Sequence, residues 1–220
     1  MKTFAVIPVY NEGGKIRATA KKVSKYVDQV VVVDDGSQDN TSSEARKGDS
    51  IVLRHIINMG KGAAMKTGIK YAIKNRANKI VVIDGDGQHD PSEIPKLLTL
   101  LEKNKVDIVL GIRQMPENSP IILRLGNWGL NQIFRFFFGS KIDDTQNGFR
   151  VFNSKIYNKI KWKSPDYFVE TEMIANLLKH NVKFAEIPVR TYYHDKYKGT
   201  TVLTGLRYFI KMLEVKLGCL

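Results

Sequence analysis

The chain has 220 residues, of which 43% are hydrophobic and 26% are charged, a balance that is typical of a folded domain and excludes a disordered chain. Its single cysteine excludes a scaffold of intrachain disulfides, and the lack of a run of roughly 20 apolar residues argues against an integral membrane protein. The 35 basic and 22 acidic residues give a net charge of +13, which either favours a polyanionic partner or simply maintains solubility.

The first 112 residues alternate between short apolar runs and amphipathic segments. The apolar runs predict strands at 4–9, 30–33, 51–55, 80–83 and 108–112, and the amphipathic segments predict helices at 15–27, 61–75 and 92–104. Ser92 is the predicted N-cap of the last helix, because Pro91 and Glu93 are typical of a helix start. This alternation predicts an α/β fold with a mostly parallel central sheet flanked by helices.

The pattern changes after residue 113. A polar loop is predicted at 114–120, and it is followed by an aromatic-rich helix, a strand, a helix, a strand and a C-terminal amphipathic helix at 121–138, 148–152, 169–179, 184–193 and 203–217. Neither a repeat nor a linker interrupts the sequence. Residues 1–220 are therefore predicted to form one domain.

Polar side chains follow the predicted strands at the edge where parallel strands end. Asp84 and Asp86 come directly after an apolar strand, and two such carboxylates repel each other unless a cation lies between them. An oxygen-rich pair of this kind suits Mg²⁺ or Mn²⁺, which in turn holds a diphosphate. The alternative is that the Asp, Asn, Gly and Ser residues at this edge only form turns and helix caps.

Several motifs occur together in a fixed order. Segments 7–12 (Ile-Pro-Val-Tyr-Asn-Glu), 33–37 (Val-Asp-Asp-Gly-Ser), 58–62 (Asn-Met-Gly-Lys-Gly) and 84–88 (Asp-Gly-Asp-Gly-Gln) resemble family-2 glycosyltransferases of the nucleotide-sugar-binding GT-A fold. Two more, at 144–150 and 170–173, resemble the polyprenyl-phosphate sugar synthases of that family, which include dolichyl-phosphate mannose synthase and dolichyl-phosphate glucosyltransferase. The resemblance implies a nucleotide-sugar-binding half, 1–113, and an acceptor-binding half, 114–220.

The resemblance also implies a reaction and its cofactor. An inverting transferase would move mannose, glucose or N-acetylhexosamine from a GDP- or UDP-sugar to polyprenyl or dolichyl monophosphate. Mg²⁺ or Mn²⁺ would be held by Asp84, Asp86 and Gln88. By motif position, the implied donor-binding residues are Pro8, Tyr10, Glu12, Val33, Asp35, Asp84, Gly85, Asp86 and Arg113.

The implied catalytic residues are Asp86, Arg113 and Asp144. Arg113 would contact the diphosphate or the sugar, with a solvated loop arginine as the alternative. In relatives that glycosylate hydroxyl groups, a carboxylate in this part of the fold is the general base. A lipid phosphate is already largely ionised near neutral pH, so Asp144 would then order Arg150 or the acceptor site. The alternative is that Asp144 and Arg150 form a buried structural ion pair.

The acceptor side is implied by four basic residues, Arg124, Arg150, Lys196 and Lys198. Many relatives close a Gly-x-Ser-Lys motif after this region, whereas this chain has Gly-Thr-Thr-Val at 199–202. The missing lysine leaves the mannose assignment open, and Lys196 or Lys198 could substitute for it.

Aromatic and basic residues mix in the segments 121–138 and 203–217, which predicts helices that face a membrane surface, with burial in the core as the alternative. The expected protein is peripheral, on the cytoplasmic face of a membrane, and a separate membrane-anchoring subunit stays an open question. One rival is a family-2 enzyme with a soluble carbohydrate or protein hydroxyl acceptor. The other is a nucleic-acid-binding protein, against which no arginine-rich helix or nucleic-acid motif is found.

Overall fold

The computed structural model describes residues 1–114, 121–140, 142–192 and 202–217. In these ranges the strands are β1 (Thr3–Val9), β2 (Gln29–Asp34), β3 (Ile51–Arg54), β4 (Lys79–Val82), β5 (Ile108–Gln114), β6 (Arg150–Asn153) and β7 (Phe184–Arg190). They form one sheet in the order β3-β2-β1-β4-β6-β5-β7. All neighbours are parallel except β6, which runs antiparallel to β4 and to β5. The predicted α/β fold with a mostly parallel sheet is confirmed.

Helices flank this sheet. They are α1 (Ile16–Val23), α2 (Thr41–Arg46), α3 (Lys61–Lys74), α4 (Ile94–Lys103), α5 (Ile121–Phe138), α6 (Tyr157–Ile160), α7 (Val169–Lys179) and α8 (Val202–Leu217), with short 3₁₀ turns at Pro91–Glu93 and Ser154–Ile156. Each of the long predicted helices is present, and α7 matches its predicted bounds.

Strand β2 shows why both faces of the sheet are covered. Val31 and Val33 belong to the core on the side of α3, while Val30 and Val32 belong to the opposite core, with α1. Successive side chains of a strand point to opposite faces, so an unbroken run of valines is stable only where both faces are buried. All four valines are at most 1% exposed.

Two helix boundaries differ from the prediction by two residues or more. Ser92 is not an N-cap: Asp90 caps the turn, its carboxylate accepting a hydrogen bond of 3.0 Å from the Ser92 amide, and α4 starts two residues later. Helix α1 ends at Val23 instead of residue 27. There Asp28 pairs with Thr3 through its amide (3.0 Å) and its carboxylate (2.7 Å), so residues 24–28 return the chain to the sheet.

The aromatic helix α5 lies partly in the core and partly at the surface. Phe134 is fully buried and stacks on Phe138, and Phe137 packs against Phe209 of α8 with ring centroids 5.4 Å apart. Phe136, in contrast, is 85% exposed. Within the described ranges, no helix combines the length and the apolar character needed to cross a membrane.

Candidate active site

A cleft of about 370 Å³ opens at the carboxyl ends of β1, β2 and β4, opposite the N-terminus of α3. Its lining residues are Pro8, Val9, Tyr10, Glu12, Asp35, Asn58, Gly60, Lys61, Ala64, Asp84, Gly85, Asp86 and Tyr167. The structure thus brings together the predicted donor-binding residues of three separate strand ends. Val33 and Arg113 lie elsewhere.

The segment after β1 is held by side chains that follow β2. Asn11 has a left-handed φ of 55°, and its amide donates to Ser37 Oγ at 2.9 Å. The Glu12 amide donates to Thr41 Oγ1, also at 2.9 Å. These bonds fix the backbone directly after Tyr10, at Asn11 and Glu12. Tyr10 and Glu12 line the cleft, and Tyr10 is 42% exposed.

Asp35 ties β2 to the start of α3. Its carboxylate accepts hydrogen bonds from the backbone amides of Met59 (2.9 Å) and Gly60 (2.7 Å) and lies 2.6 Å from His55 Nδ1. Gly60 has φ 93°, and a side chain there would begin 2.4 Å from the carbonyl oxygen of Pro165. The loop before α3 is therefore held on both sides by neighbouring backbone and by Asp35.

The prediction that Val33 completes the donor pocket is wrong. Val33 is fully buried and packs against Val6 and α3, because the alternation along β2 turns its side chain into the core. Of the motif 33–37, the cleft lining contains Asp35 only.

Lys61 lies between one acidic side chain that lines the cleft and one that is buried. Its ammonium is 2.6 Å from Asp84 Oδ1 and 2.5 Å from Glu170 Oε1. Burial opposes the charge of Lys61, but Asp84 and Glu170 outweigh it and raise the pKa of the lysine above its ordinary value. Burial likewise opposes ionisation of Asp84, and Lys61 together with His89 nevertheless holds the pKa of Asp84 below its usual range.

Asp86 lies on the same loop, and within the described part of the chain no lysine or arginine forms an ion pair with it. Its Oδ1 accepts a hydrogen bond of 2.9 Å from the Gln88 amide. Burial, and next the negative charge of Asp84, raises the pKa of Asp86. Among the described residues, no three His, Cys, Asp or Glu side chains converge as a metal site. The carboxylates of Asp84 and Asp86 repel each other.

The loop 84–90 is enclosed by the second half of the chain. A side chain at Gly148 would begin 2.6 Å from Asp84 Oδ2, so the backbone before β6 lies directly against this carboxylate. His89 Nε2 is 3.6 Å from the same oxygen. Strand β7 ends at Arg190, short of the predicted 193, and the Tyr192 amide then donates to the Gln88 carbonyl at 2.7 Å.

Arg113 pairs with Asp144. The guanidinium donates to both carboxylate oxygens, from Nε at 2.8 Å and from Nη2 at 2.9 Å, and the amides of Arg113 and Gln146 donate as well. Although burial opposes ionisation, Arg113 keeps the pKa of Asp144 below its ordinary value. The alternative of a solvated loop arginine is wrong, since the Arg113 side chain is only 19% exposed.

Arg150 lies in the interior. It is 1% exposed, and its guanidinium donates to the Asn147 carbonyl oxygen and to Met173 Sδ. The predicted ion pair of Asp144 with Arg150 is wrong, because Arg113 takes that place. Contact of Arg150 with an acceptor is equally inconsistent with this burial, which follows from its position as the first residue of a strand between β4 and β5.

The other three residues predicted to bind the acceptor lie partly or wholly outside the described residues. Arg124 lies on α5, but its side chain is outside the described part of the chain. Lys196 and Lys198 lie outside the described residues altogether. They follow Tyr192, which is bonded to the loop of Asp86, by only a few residues along the sequence.

Sequence reasoning missed Lys61 and Tyr167, which line the cleft, and the buried Glu170 beside Lys61. Lys61 and Glu170 lie in the motifs 58–62 and 170–173, which carry the family resemblance without assigning either side chain a role. Tyr167 is 65% exposed, and the Lys61 ammonium lies 5.5 Å from the centre of its ring. The signal that points to Glu170 is its burial at a helix start, which no linear pattern displays.

Comparison with known proteins identifies the class. The chain belongs to glycosyl transferase family 2, whose sequence profile matches residues 4–161. An uncharacterized protein of Methanocaldococcus jannaschii is 38% identical over 97% of this chain and 92% of its own length. The UDP-N-acetylglucosamine–dolichyl-phosphate N-acetylglucosaminyltransferase of Methanococcus voltae is 28% identical over 98% of this chain and 96% of its own length.

A solved structure shares the fold. Glucosyl-3-phosphoglycerate synthase from Mycobacterium tuberculosis, crystallised with Mn²⁺, uridine diphosphate and glucosyl-3-phosphoglycerate, superimposes with a TM-score of 0.77 at 19% identity. The match covers 99% of this chain and 80% of that chain. The predicted family and the GT-A fold are confirmed.

Proposed function

We propose that this family-2 glycosyltransferase moves a sugar from a nucleoside diphosphate sugar to a polyprenyl monophosphate, with inversion at the anomeric carbon. The observation that carries the proposal is the cleft in which three strand ends place Tyr10, Asp35 and the pair Asp84 and Asp86 together. The similarity to the dolichyl-phosphate transferase of Methanococcus voltae supports the acceptor class.

The donor side fits a divalent cation. Asp84 and Asp86 supply carboxylate oxygens to the cleft. Gln88 lies on the same loop outside the cleft lining, and its amide oxygen would join them only when the ion is bound. Mg²⁺ is commonly held by one or two carboxylates together with substrate phosphates, so a site with two carboxylates matches this chemistry better than a complete protein cage does. Burial, and next the charge of Asp84, raises the pKa of Asp86, and a bound cation would favour its ionised form. When bound, Mg²⁺ or Mn²⁺ would offset the charge of the leaving diphosphate.

The transfer step needs no base on the acceptor. A lipid phosphate oxygen attacks the anomeric carbon and forms the new C–O–P linkage. The bond from that carbon to the diphosphate oxygen breaks, and the nucleoside diphosphate leaves with the bonding electrons. A phosphate monoester is largely ionised near neutral pH, so its oxygen is already nucleophilic.

The state of Asp144 favours this acceptor over a hydroxyl group. A general base must be free to take a proton at the working pH, whereas Asp144 accepts several hydrogen bonds and has a lowered pKa. We therefore assign Asp144 to positioning Arg113. The rival with a hydroxyl acceptor and Asp144 as its base is not supported by this arrangement.

The membrane side of the proposal rests on α5 and α8. Trp128, Phe136 and Ile210 are exposed, while Lys216 lies with its ammonium 6.0 Å from the centre of the Phe138 ring. Apolar side chains beside cations are typical of an interfacial surface. This surface supports peripheral attachment at the membrane where a polyprenyl phosphate resides, on the cytoplasmic face if the donor is a cytoplasmic nucleotide sugar.

A donor panel tests the proposal. The purified chain is incubated with Mn²⁺, a synthetic polyprenyl phosphate and one radiolabelled GDP- or UDP-sugar at a time. Label that enters the organic phase with one donor supports the proposal and identifies base and sugar. Label that stays in the aqueous phase with every donor, while a lipid-free carbohydrate acceptor becomes labelled, would contradict it.

A further inference from the structure

Lys61 is an internal cation at the centre of the candidate donor site. It bridges Asp84 and Glu170 at 2.6 and 2.5 Å, and its side chain is only 12% exposed. Glu170 is 2% exposed. Removing one member of a buried ion group leaves uncompensated charge, so these three side chains act as a unit.

One member of this unit, Asp84, also belongs to the carboxylate pair assigned to the metal. Its Oδ1 is held by Lys61, and its Oδ2 faces His89 and the backbone of Gly148. The charge of Asp84 is therefore already offset in part by the protein's own ammonium, which Asp84 shares with Glu170. A divalent ion gains the full charge of Asp84 only when Lys61 moves away.

The surroundings of Lys61 allow the side chain to move and hold the backbone still. The Gly60 amide is bound to Asp35, and Trp162 Nε1 donates to the Gly62 carbonyl at 2.9 Å. The ammonium itself sits on a flexible four-carbon stem. On its other side lie Glu170 and the ring face of Tyr167, both of which attract a cation.

We infer that Lys61 is a stand-in cation that neutralises Asp84 in the metal-free protein, and that Glu170 is the positioning residue that retains Lys61 when Asp84 binds a divalent ion. The inference rests on the proposed function, because it takes Asp84 and Asp86 as the metal-binding pair. When the ion binds, the Lys61 ammonium leaves Asp84, keeps its contact with Glu170 and faces the cleft. The backbone does not change.

This exchange couples metal binding to donor binding. Metal alone competes with Lys61 for Asp84, so its affinity is low. The diphosphate of the donor brings further negative charge into the cleft and stabilises Lys61 away from Asp84. By linkage, the nucleotide and the divalent ion then strengthen each other's binding by the same factor.

The first test measures Mn²⁺ binding by calorimetry on the full chain, without donor or acceptor. Lys61→Met should lower the Kd for Mn²⁺ at least about tenfold, because a close, poorly solvated charge is removed. Lys70→Met, which removes the same charge from an exposed position of the same helix, should change it less than about twofold owing to screening. Equal effects of the two variants would overturn the inference.

Two further measurements guard against a variant that fails to fold. Glu170→Gln leaves Lys61 with Asp84 as its carboxylate partner and should weaken Mn²⁺ binding; unchanged or tighter binding would contradict the inference. Circular dichroism on each variant confirms that the fold is retained.

A crystal structure of the wild-type protein with Mn²⁺ and uridine or guanosine diphosphate gives the direct readout. The Lys61 ammonium should lie beyond hydrogen-bond distance of Asp84 and within it of Glu170. If Mn²⁺ is bound to both aspartates while Lys61 still contacts Asp84, the inference is overturned and the metal assignment stands. No Mn²⁺ at these aspartates in any variant would overturn the metal assignment and the inference together, while the donor panel decides the transfer activity independently.

Discussion

Asp86 lines the cleft, and we expect the proposed metal-assisted transfer to depend on its carboxylate. We expect Asp86→Ala to lower kcat by at least about 10²-fold, the effect typical of removing one stabiliser of transition-state charge. Asp90→Asn is the matched control on the same loop, because Asn preserves the cap of the 3₁₀ turn. Near-normal activity of folded Asp86→Ala in Mn²⁺, or full activity of the wild type in EDTA, would refute the metal site.

Asp144 and Arg113 give a stability prediction with a defined pH dependence. The pKa of Asp144 is lowered from 3.8 in the folded protein, so its stabilisation is fully present above that value and is lost as pH falls through the folded pKa. Asp144→Asn should reduce the free energy of unfolding by roughly 1–3 kcal/mol at neutral pH, because Arg113 loses a charged partner.

Urea titration at several pH values checks this expectation. The difference between wild type and Asp144→Asn should shrink as pH is lowered below about 4. The exposed neighbour Asp143 pairs with Arg135 and provides the control, since Asp143→Asn should cost less than about 1 kcal/mol at any pH. A difference for Asp144→Asn that grows toward acid pH would contradict the assigned ion pair.

The positions of site residues were predictable from sequence where they depend only on the residue following a strand of the parallel sheet. Asp35, Asp84 and Asp86 follow strands of a parallel sheet, so their meeting in one cleft could be derived without a structure. Val33 could not be placed from its motif, because the two-residue alternation of β2 turns it into the core. The partner of Asp144 was also not predictable: Arg113 is 31 residues away along the sequence, whereas the nearby Arg150 is buried by strand pairing.

Helix α5 carries two kinds of phenylalanine that its amphipathic pattern could not fully separate. Phe134 is fully buried, and Phe136 is 85% exposed two positions later. Phe134→Ser should therefore lower the free energy of unfolding by about 3–5 kcal/mol, as in other large-to-small core changes. Phe136→Ser should leave it nearly unchanged.

The same pair tests the membrane surface. Phe136→Ser should reduce co-sedimentation with anionic liposomes about fivefold, since insertion of one ring is worth on the order of 1 kcal/mol. If Phe136→Ser binds liposomes as the wild type does, α5 is not part of the membrane surface. Circular dichroism on both variants separates loss of binding from loss of fold.

Element boundaries were predicted well where the apolar pattern is continuous and poorly where an element ends at a tertiary contact. The strands that precede the cleft differ by a residue or two from their apolar runs, because burial on both faces leaves a continuous apolar signal. Helix α1 and strand β7 end early, where Asp28 meets Thr3 and where Tyr192 meets Gln88. Such contacts join distant parts of the chain and leave no local pattern.

Over the whole molecule, the net charge of +13 has a consequence that does not depend on any one residue. Each basic side chain near an anionic membrane adds on the order of 1 kcal/mol, and salt screens this attraction. Wild-type binding to liposomes should rise with the fraction of anionic lipid and fall at high ionic strength. Binding that is insensitive to both would contradict electrostatic attachment.

The acceptor phosphate is the central claim, and a matched pair of lipids tests it most directly. The donor identified by the panel is offered with a polyprenyl phosphate or with the corresponding polyprenol, and transfer of label to the organic phase is measured for wild type and Asp144→Asn. We predict transfer only to the phosphate. The rate of transfer by Asp144→Asn should depend on pH as the wild-type rate does, because ionisation of the acceptor phosphate sets this dependence. Transfer to the polyprenol, abolished in folded Asp144→Asn, would contradict the account and make Asp144 the base of a hydroxyl-directed enzyme.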